Sequence, residues 1–144
     1  MKVESILLAK GSEVVTVDPE ATVSRVIEKL IYRGVGAVVV SKDGKRLEGI
    51  ITERDVVQGL ESFGGSLTGM RARQIMARGV PVCTPDDPIT RVMAEMTRSR
   101  SRHLPVLRDG ILCGIVSVGD VVKLRLEELE LETSVLRDHY IAGL

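Results

Sequence analysis

Gly49-Ile50-Ile51-Thr52-Glu53-Arg54-Asp55 is written a second time as Gly114-Ile115-Val116-Ser117-Val118-Gly119-Asp120. Both copies read glycine, two β-branched residues, a hydroxyl residue, two free positions and aspartate. The spacing is 65 throughout (114 − 49, 117 − 52, 120 − 55). Each copy begins as a short apolar strand and passes into an amphipathic segment at Val56-Val57 or Val121-Val122. That places Thr52 and Ser117 at helix N-caps, with Asp55 and Asp120 three residues on.

The duplication extends outward from this motif. Asp18-Pro19 is echoed by Thr84-Pro85, and Val23, Val26, Ile27 and Leu30 by Ile89, Val92, Met93 and Met96, at an offset of 66 (85 − 19). Asp43-Gly44 and Asp109-Gly110 keep that offset, and one extra residue within Lys45-Arg46-Leu47 accounts for the drop to 65. Each copy predicts strand, helix, strand, turn, strand, helix. Val14–Val17 and Val80–Cys83 are the β-prone entries. The helices that follow carry apolar residues at i, i+3, i+4 and i+7, the stripe of a helix with one buried face. Asp87-Pro88 supplies an N-cap and a first-position proline, and Gly34 closes the corresponding helix of the first copy. Ala37–Val40 and Leu104–Leu107 follow as buried strands, and Asp-Gly turns each into a hairpin.

A β-α-β-β-α unit of this size leaves one sheet face uncovered, and two units packed sheet to sheet remove that exposure. The expected fold is therefore α/β (α+β): two pseudo-symmetric units, plus a C-terminal helix. The units are expected at 1–62 and 73–126, joined by a linker at 63–72 that overlaps the glycine-rich Glu61–Gly69 stretch, with a helical extension at 127–144. Along that extension Val122, Leu126, Leu129, Thr133, Leu136 and Tyr140 fall at alternating steps of four and three. This is a short heptad seam, read either as a helix lying on its own domain or as a subunit contact.

Bulk properties narrow the function. The 144 residues carry 20 basic and 20 acidic side chains, so net charge gives no general case for nucleic acid or an anionic membrane. Aromatics at 2% argue against a base-stacking platform. No apolar run approaches a bilayer span, and the start shows no signal-peptide hydrophobic region, so a cytoplasmic chain is expected. Cys83 and Cys113 make no disulfide framework and read as small buried hydrophobes. The two histidines lie far apart without Cys/His clustering, so no metal site is expected.

The doubled Gly-x-x-[Ser/Thr]-x-x-Asp within β-α-β-β-α units resembles a tandem pair of CBS (cystathionine β-synthase) domains, a Bateman module, over residues 1 to about 126. The resemblance implies a cleft between the units holding one or two adenosine-containing ligands: AMP, ADP, ATP, S-adenosylmethionine or NAD(H). It also implies dimerisation into a flat disc. Each site is then shared across the repeats. One would combine Val14, Val35, Gly36 and Ala37 with Ser117 and Asp120. The other would combine Val80, Ser101, Arg102 and His103 with Thr52 and Asp55. The second is richer in cationic groups and is expected to take the phosphate. Val39 stands where the second copy has Pro105, which makes the two sites unequal.

The side chains suit such a ligand on physical grounds. A carboxylate such as Asp55 accepts hydrogen bonds from both ribose hydroxyls. A hydroxyl at a helix N-cap, beside free N–H groups and the positive end of the helix dipole, suits phosphate. Gly119 allows close approach of phosphate to the backbone, and Arg54, Arg102 and His103 are candidate phosphate partners. Capping alone would also explain the hydroxyl-acid pairs, but capping boxes favour Glu or Gln at the third position because Asp is short. His139 is expected at the surface.

A regulatory nucleotide sensor acting on a protein partner is thus the leading expectation. A dimeric assembly protein without a ligand is the alternative. No Walker A or Rossmann fingerprint and no nucleophile-base pair appears, and 144 residues leave no room beside the pair for a catalytic domain, so an enzyme is not expected.

Overall fold

In the computed structural model, residues 1–143 are described. Helix α1 (Val3–Lys10) leads into the first unit: β1 (Thr16–Val17), α2 (Val23–Tyr32), β2 (Ala37–Val40), β3 (Gly49–Thr52) and α3 (Glu53–Phe63). A 3-10 turn (Gly64–Gly69) and α4 (Ala72–Ile75) connect to the second unit: α5 (Ile89–Ser99), β4 (His103–Arg108), β5 (Ile111–Ser117) and α6 (Val118–Ala142). In the first sheet β1 pairs parallel to β2 and β2 antiparallel to β3. In the second, β4 and β5 form an antiparallel ladder.

Each unit has its own core. Val17, Val26, Leu30, Val38, Val40 and Ile51 join in the first, and Ile89, Val92, Met96, Leu104, Val106 and Val116 in the second. Because strand side chains alternate, Val39 and Ile50 point away from that first core, yet both are buried. The second unit covers that face, which is the sheet-to-sheet packing expected from the duplication.

Several local expectations need correction. The second entry segment, Val80–Cys83, forms no strand: it meets β4 at the single parallel bridge Cys83–Val106. Pro81 removes one N–H from that stretch, and pairing shrinks to the two bonds around Cys83. The first entry strand is shorter than Val14–Val17 and covers Thr16–Val17. Pro88, rather than Asp87, is the N-cap of α5. Asp87 instead accepts the Thr84 N–H at 2.9 Å. Asp109-Gly110, both at positive φ, make the tight turn expected between β4 and β5. Asp43-Gly44 belongs to the longer Ser41–Glu48 loop, where Asp43 Oδ1 gathers the N–H groups of Lys45 and Arg46.

One feature of the fold lies outside the sequence reading. The segment preceding each unit crosses over to brace the other. Val3 and Glu4 donate to the Asp87 and Pro85 carbonyls of the second unit, and Val3 and Ile6 enter its core. Reciprocally, Ala72 and Arg73 donate to the Ala21 and Pro19 carbonyls of the first unit, whose core takes Ala72. The paired bridges Lys2–Pro88 and Thr22–Arg71 repeat the same contact. The glycines that open the two motifs are the seats of these straps. A methyl added at Gly49 would lie 2.7 Å from Met76 Sδ, and one at Gly114 2.6 Å from Leu7 Cδ2.

Cys83 is buried and Cys113 half-buried, both as free thiols. Burial, helped by the charge of Asp87 and by Cys113, pushes the Cys83 thiol up to about 12. Since the thiolate is the reactive form, the native chain is expected to give one slowly reacting thiol, Cys113. Cys83 should label only on unfolding, by mass spectrometry after iodoacetamide. Comparable native labelling of both would contradict this placement.

Candidate functional site

The site begins at the end of β3, where the apolar run stops at Thr52 and the chain turns into α3. Thr52 Oγ1 accepts the Asp55 N–H at 3.3 Å, and Asp55 Oδ2 accepts the Thr52 N–H at 2.8 Å. The matched turn before α6 does the same: Ser117 Oγ accepts the Asp120 N–H at 3.2 Å, and Asp120 Oδ2 the Ser117 N–H at 2.8 Å. Both pairs are capping boxes, so aspartate reaches back here although its short side chain is the less favoured one at this position. The cap uses Oδ2 of Asp55; Oδ1 takes part in no hydrogen bond among the described residues.

A cleft of about 440 Å³ opens over the first cap. It brings Thr52, Arg54 and Asp55 of the first unit together with Val80, Ser101, Arg102 and His103 of the second. Gly36, placed by the sequence reading in the other site, also lines this cleft. It is close enough to His103 that an added methyl would sit 3.1 Å from the ring's Cε1 and Nε2. Burial first, then the Lys10 ammonium, lowers the His103 pKa against the opposing pull of Asp120 and Glu53. The net shift favours the uncharged ring.

Ile50, Glu53, Ala77 and Arg100 complete the lining and were missed. Arg100 had a legible signal. It occupies the position of Gly34 in the first copy (100 − 34 = 66). Both close a helix at positive φ, 61° for Gly34 and 55° for Arg100. A left-handed residue is free for glycine and costs roughly 1 kcal/mol or more for a side-chain-bearing one, and such outliers concentrate at functional sites. Arg54, Arg100 and Arg102 all line the cleft and make no ion pair among the described residues. They are shared with an adjoining hollow floored by Met93, Met96, Val118 and Val122.

The other residue set is not gathered in the same way. Ser117 and Gly119 line a more open hollow of about 430 Å³ with Arg102, His103 and Val118, and Val14, Val35, Gly36, Ala37 and Asp120 are not among its lining residues. Val14 and Val35 are half-buried beside the first sheet, and Ala37 is buried opposite Thr52 in the β2–β3 ladder. Lys10 Nζ donates to Asp120 Oδ2 at 2.7 Å, the same oxygen that accepts the cap, while Oδ1, like that of Asp55, takes part in no hydrogen bond among the described residues. Burial raises the Asp120 pKa, but the Lys10 ammonium and the Ser117 N–H more than offset it, and the net shift is downward. His139 is exposed on α6, as expected.

Comparison with known proteins agrees with this geometry. The CBS domain family model matches residues 5–62 and 72–127. The mitochondrial CBS domain-containing protein CBSX3 of Arabidopsis thaliana is 36% identical over 126 residues, covering 85% of this chain. The chain spans 61% of that relative's length. A crystal structure of a CBS-domain protein from Agrobacterium tumefaciens superposes with TM-score 0.83 at 37% identity, covering 87% of this chain and 99% of the other. A CBS domain protein of Pyrobaculum aerophilum, solved in complex with AMP, superposes with TM-score 0.77 at 27% identity over 92% of this chain and 99% of its own. Two matched halves, one braced against the other around a shared cleft, are what such a pair consists of, and the chain belongs to the CBS domain family.

Proposed function

We propose that the cleft over Thr52 and Asp55 binds one adenine nucleotide per chain and that the chain is a regulatory sensor. The observation carrying this reading is the 440 Å³ space in which a helix-capping hydroxyl and carboxylate of one unit, with Arg54 beside them, meet Arg100, Arg102 and His103 of the other. Asp55 Oδ1 suits the ribose hydroxyls, and the α3 N-terminus with Arg54, Arg100 and Arg102 suits phosphate. Val80, Ile50 and Ala77 offer apolar contact to the base. The AMP held by the Pyrobaculum aerophilum protein supports a ligand of this class.

Three unpaired guanidinium groups also set an order. AMP, ADP, ATP and NAD(H) bring negative charge to them, whereas the sulfonium of S-adenosylmethionine brings positive charge. Because the ligand touches both units, it stabilises whichever relative setting closes the cleft; that differential affinity is the whole of the signal. The reading is of a binding and signalling module, not an enzyme, acting as a homodimer.

A thermal-shift panel of AMP, ADP, ATP, NADH and S-adenosylmethionine tests it. The phosphorylated ligands should raise the melting temperature as RT ln(1 + [L]/Kd) demands, and S-adenosylmethionine should do so least. No shift with any of them would leave the assembly reading in its place.

A further inference from the structure

The C-terminal half of α6 has no partner in its own chain on one side, and its charges specify what covers it. Val122, Leu126, Leu129, Leu136 and Tyr140 are 42 to 71% exposed. At 100° per residue these positions form one stripe, roughly 27 Å long at 1.5 Å per residue. The opposite side seats the helix on the body: Val121 and Leu124 are buried there, and Glu128 Oε1 takes the Met1 amine at 2.6 Å. Val122 still borders the hollow over Met93 and Met96, and beyond Glu128 the other faces are open as well, with Leu131, Val135 and Ile141 59 to 65% exposed; the regular four-three spacing is what singles out the stripe. Thr133, the polar member of the repeat, donates its hydroxyl to the Leu129 carbonyl at 2.9 Å, so it brings no unsatisfied group to an apolar seam.

With Leu126, Thr133 and Tyr140 as one seam position and Val122, Leu129 and Leu136 as the other, the residues flanking the seam follow directly. Arg125, Glu132 and His139 precede the former, and Lys123, Glu130 and Arg137 follow the latter; Arg125 also donates to Glu128 within its own chain at 2.9 Å. In a parallel, in-register pair each first-type flank meets the second-type flank five residues later on the partner. Those meetings are Arg125 with Glu130 and Glu132 with Arg137. Both are oppositely charged, and twofold symmetry makes each occur twice.

We infer that this stripe pairs with the same stripe of a second copy of the chain, in parallel and in register. The inference deepens the homodimer reading above by assigning its surface and orientation, and it does not depend on what the cleft binds. Flanking charges of this kind set partner orientation, while the apolar stripe supplies the association.

The test uses the full chain in analytical ultracentrifugation. Leu129→Glu with Leu136→Glu, both at exposed positions, should convert dimer to monomer while leaving the circular-dichroism melt in place. Glu132→Arg alone and Arg137→Glu alone each set like charges opposite one another and should raise the dimer dissociation constant about tenfold at low salt. Combining them should restore the parent value. Residues five apart do not face each other along one helix, so that rescue reports pairing between chains. Leu136→Cys should give a 136–136 cross-link under mild oxidation, above the background of the unsubstituted chain. A parent chain that is monomeric throughout would overturn both the homodimer and this surface. A dimer indifferent to Leu129→Glu with Leu136→Glu would overturn this surface alone. A seam-dependent dimer without the cross-link or the rescue would overturn the parallel register.

Discussion

Asp55→Ala is expected to weaken nucleotide binding about 100-fold, whereas Asp120→Ala leaves it nearly unchanged, although the two residues stand at matched positions of one repeat. A hydrogen bond to a charged group contributes about 1.5–3 kcal/mol, and a carboxylate spanning a ribose diol makes two, so about 3 kcal/mol after desolvation is a conservative loss. Asp55 keeps Oδ1 clear of internal hydrogen bonds above an open cleft. Asp120 Oδ1 is equally clear, but the Lys10 ammonium sits 2.7 Å from Asp120 Oδ2, neutralises that carboxylate and stands where a ligand would approach it. The difference traces to the straps. Between Leu7 and Val14 there are six residues, Leu8–Glu13; between their counterparts Met76 and Val80 there are three, Ala77–Gly79. The longer connection lets α1 run to Lys10 while α4 stops at Ile75, and only the first strap reaches the other unit's aspartate.

Isothermal titration should therefore return one nucleotide per chain, and Lys10→Ala should add a second, weaker site at Ser117 and Asp120. Because Asp55→Ala also removes a helix cap worth about 1 kcal/mol, the quantity to compare is each variant's ligand-induced increment in melting temperature, not its basal value. Equal losses at Asp55 and Asp120 would refute the asymmetry. The Lys10–Asp120 pair carries its own pH signature. A carboxylate whose folded pKa is depressed stabilises the fold above its unfolded value, near 4, and that stabilisation is lost as pH falls through the folded value.

What the sequence made legible was whatever the repeat stated twice. The offsets of 66 and 65 located both units, both capped turns and both helical stripes, while the family resemblance set Val80, Ser101, Arg102 and His103 opposite Thr52 and Asp55, residues that line one cleft. What stayed hidden depends on contacts between the copies. Helix α1 is eight residues long, short of what holds a helix in isolation, and it persists because Val3 and Ile6 enter the core of the distant unit. No local pattern announces an exchange of that kind. Val80–Cys83 has strand composition, but Pro81 and a single bridge leave it irregular. Arg100 escaped notice because an arginine at a helix end reads as a solvated charge. Only its alignment with Gly34 exposes the left-handed backbone beneath it.

The straps also make the two opening glycines sensitive to a methyl group, Gly49 more than Gly114. Gly49→Ala is expected to destabilise the fold by about 2–3 kcal/mol, the upper range for forced overpacking, lowering the melting temperature by roughly 5–10 °C. The added methyl would meet Met76 Sδ at 2.7 Å and Cγ at 2.8 Å, and the Ala77 carbonyl oxygen at 2.9 Å. Methionine can rearrange, but that carbonyl accepts the Ile50 N–H at 3.0 Å while Ala77 donates to the Ile50 carbonyl at 2.9 Å. Moving it away therefore breaks the bridge that ties the second strap to β3. At Gly114 the obstacle is the far end of Leu7 alone, 2.6 Å to Cδ2 and 3.2 Å to Cδ1, and a rotamer change relieves it. Gly114→Ala should accordingly cost about 1 kcal/mol, near the lower end for overpacking. Adding Leu7→Ala to Gly114→Ala should cost less than the sum of the two, as residues in contact do. Met76→Ala should relieve Gly49→Ala only in part, because the backbone clash remains. Chemical denaturation of the four single and two double variants measures all of this, and equal losses at the two glycines would show that the straps do not bear on them as described.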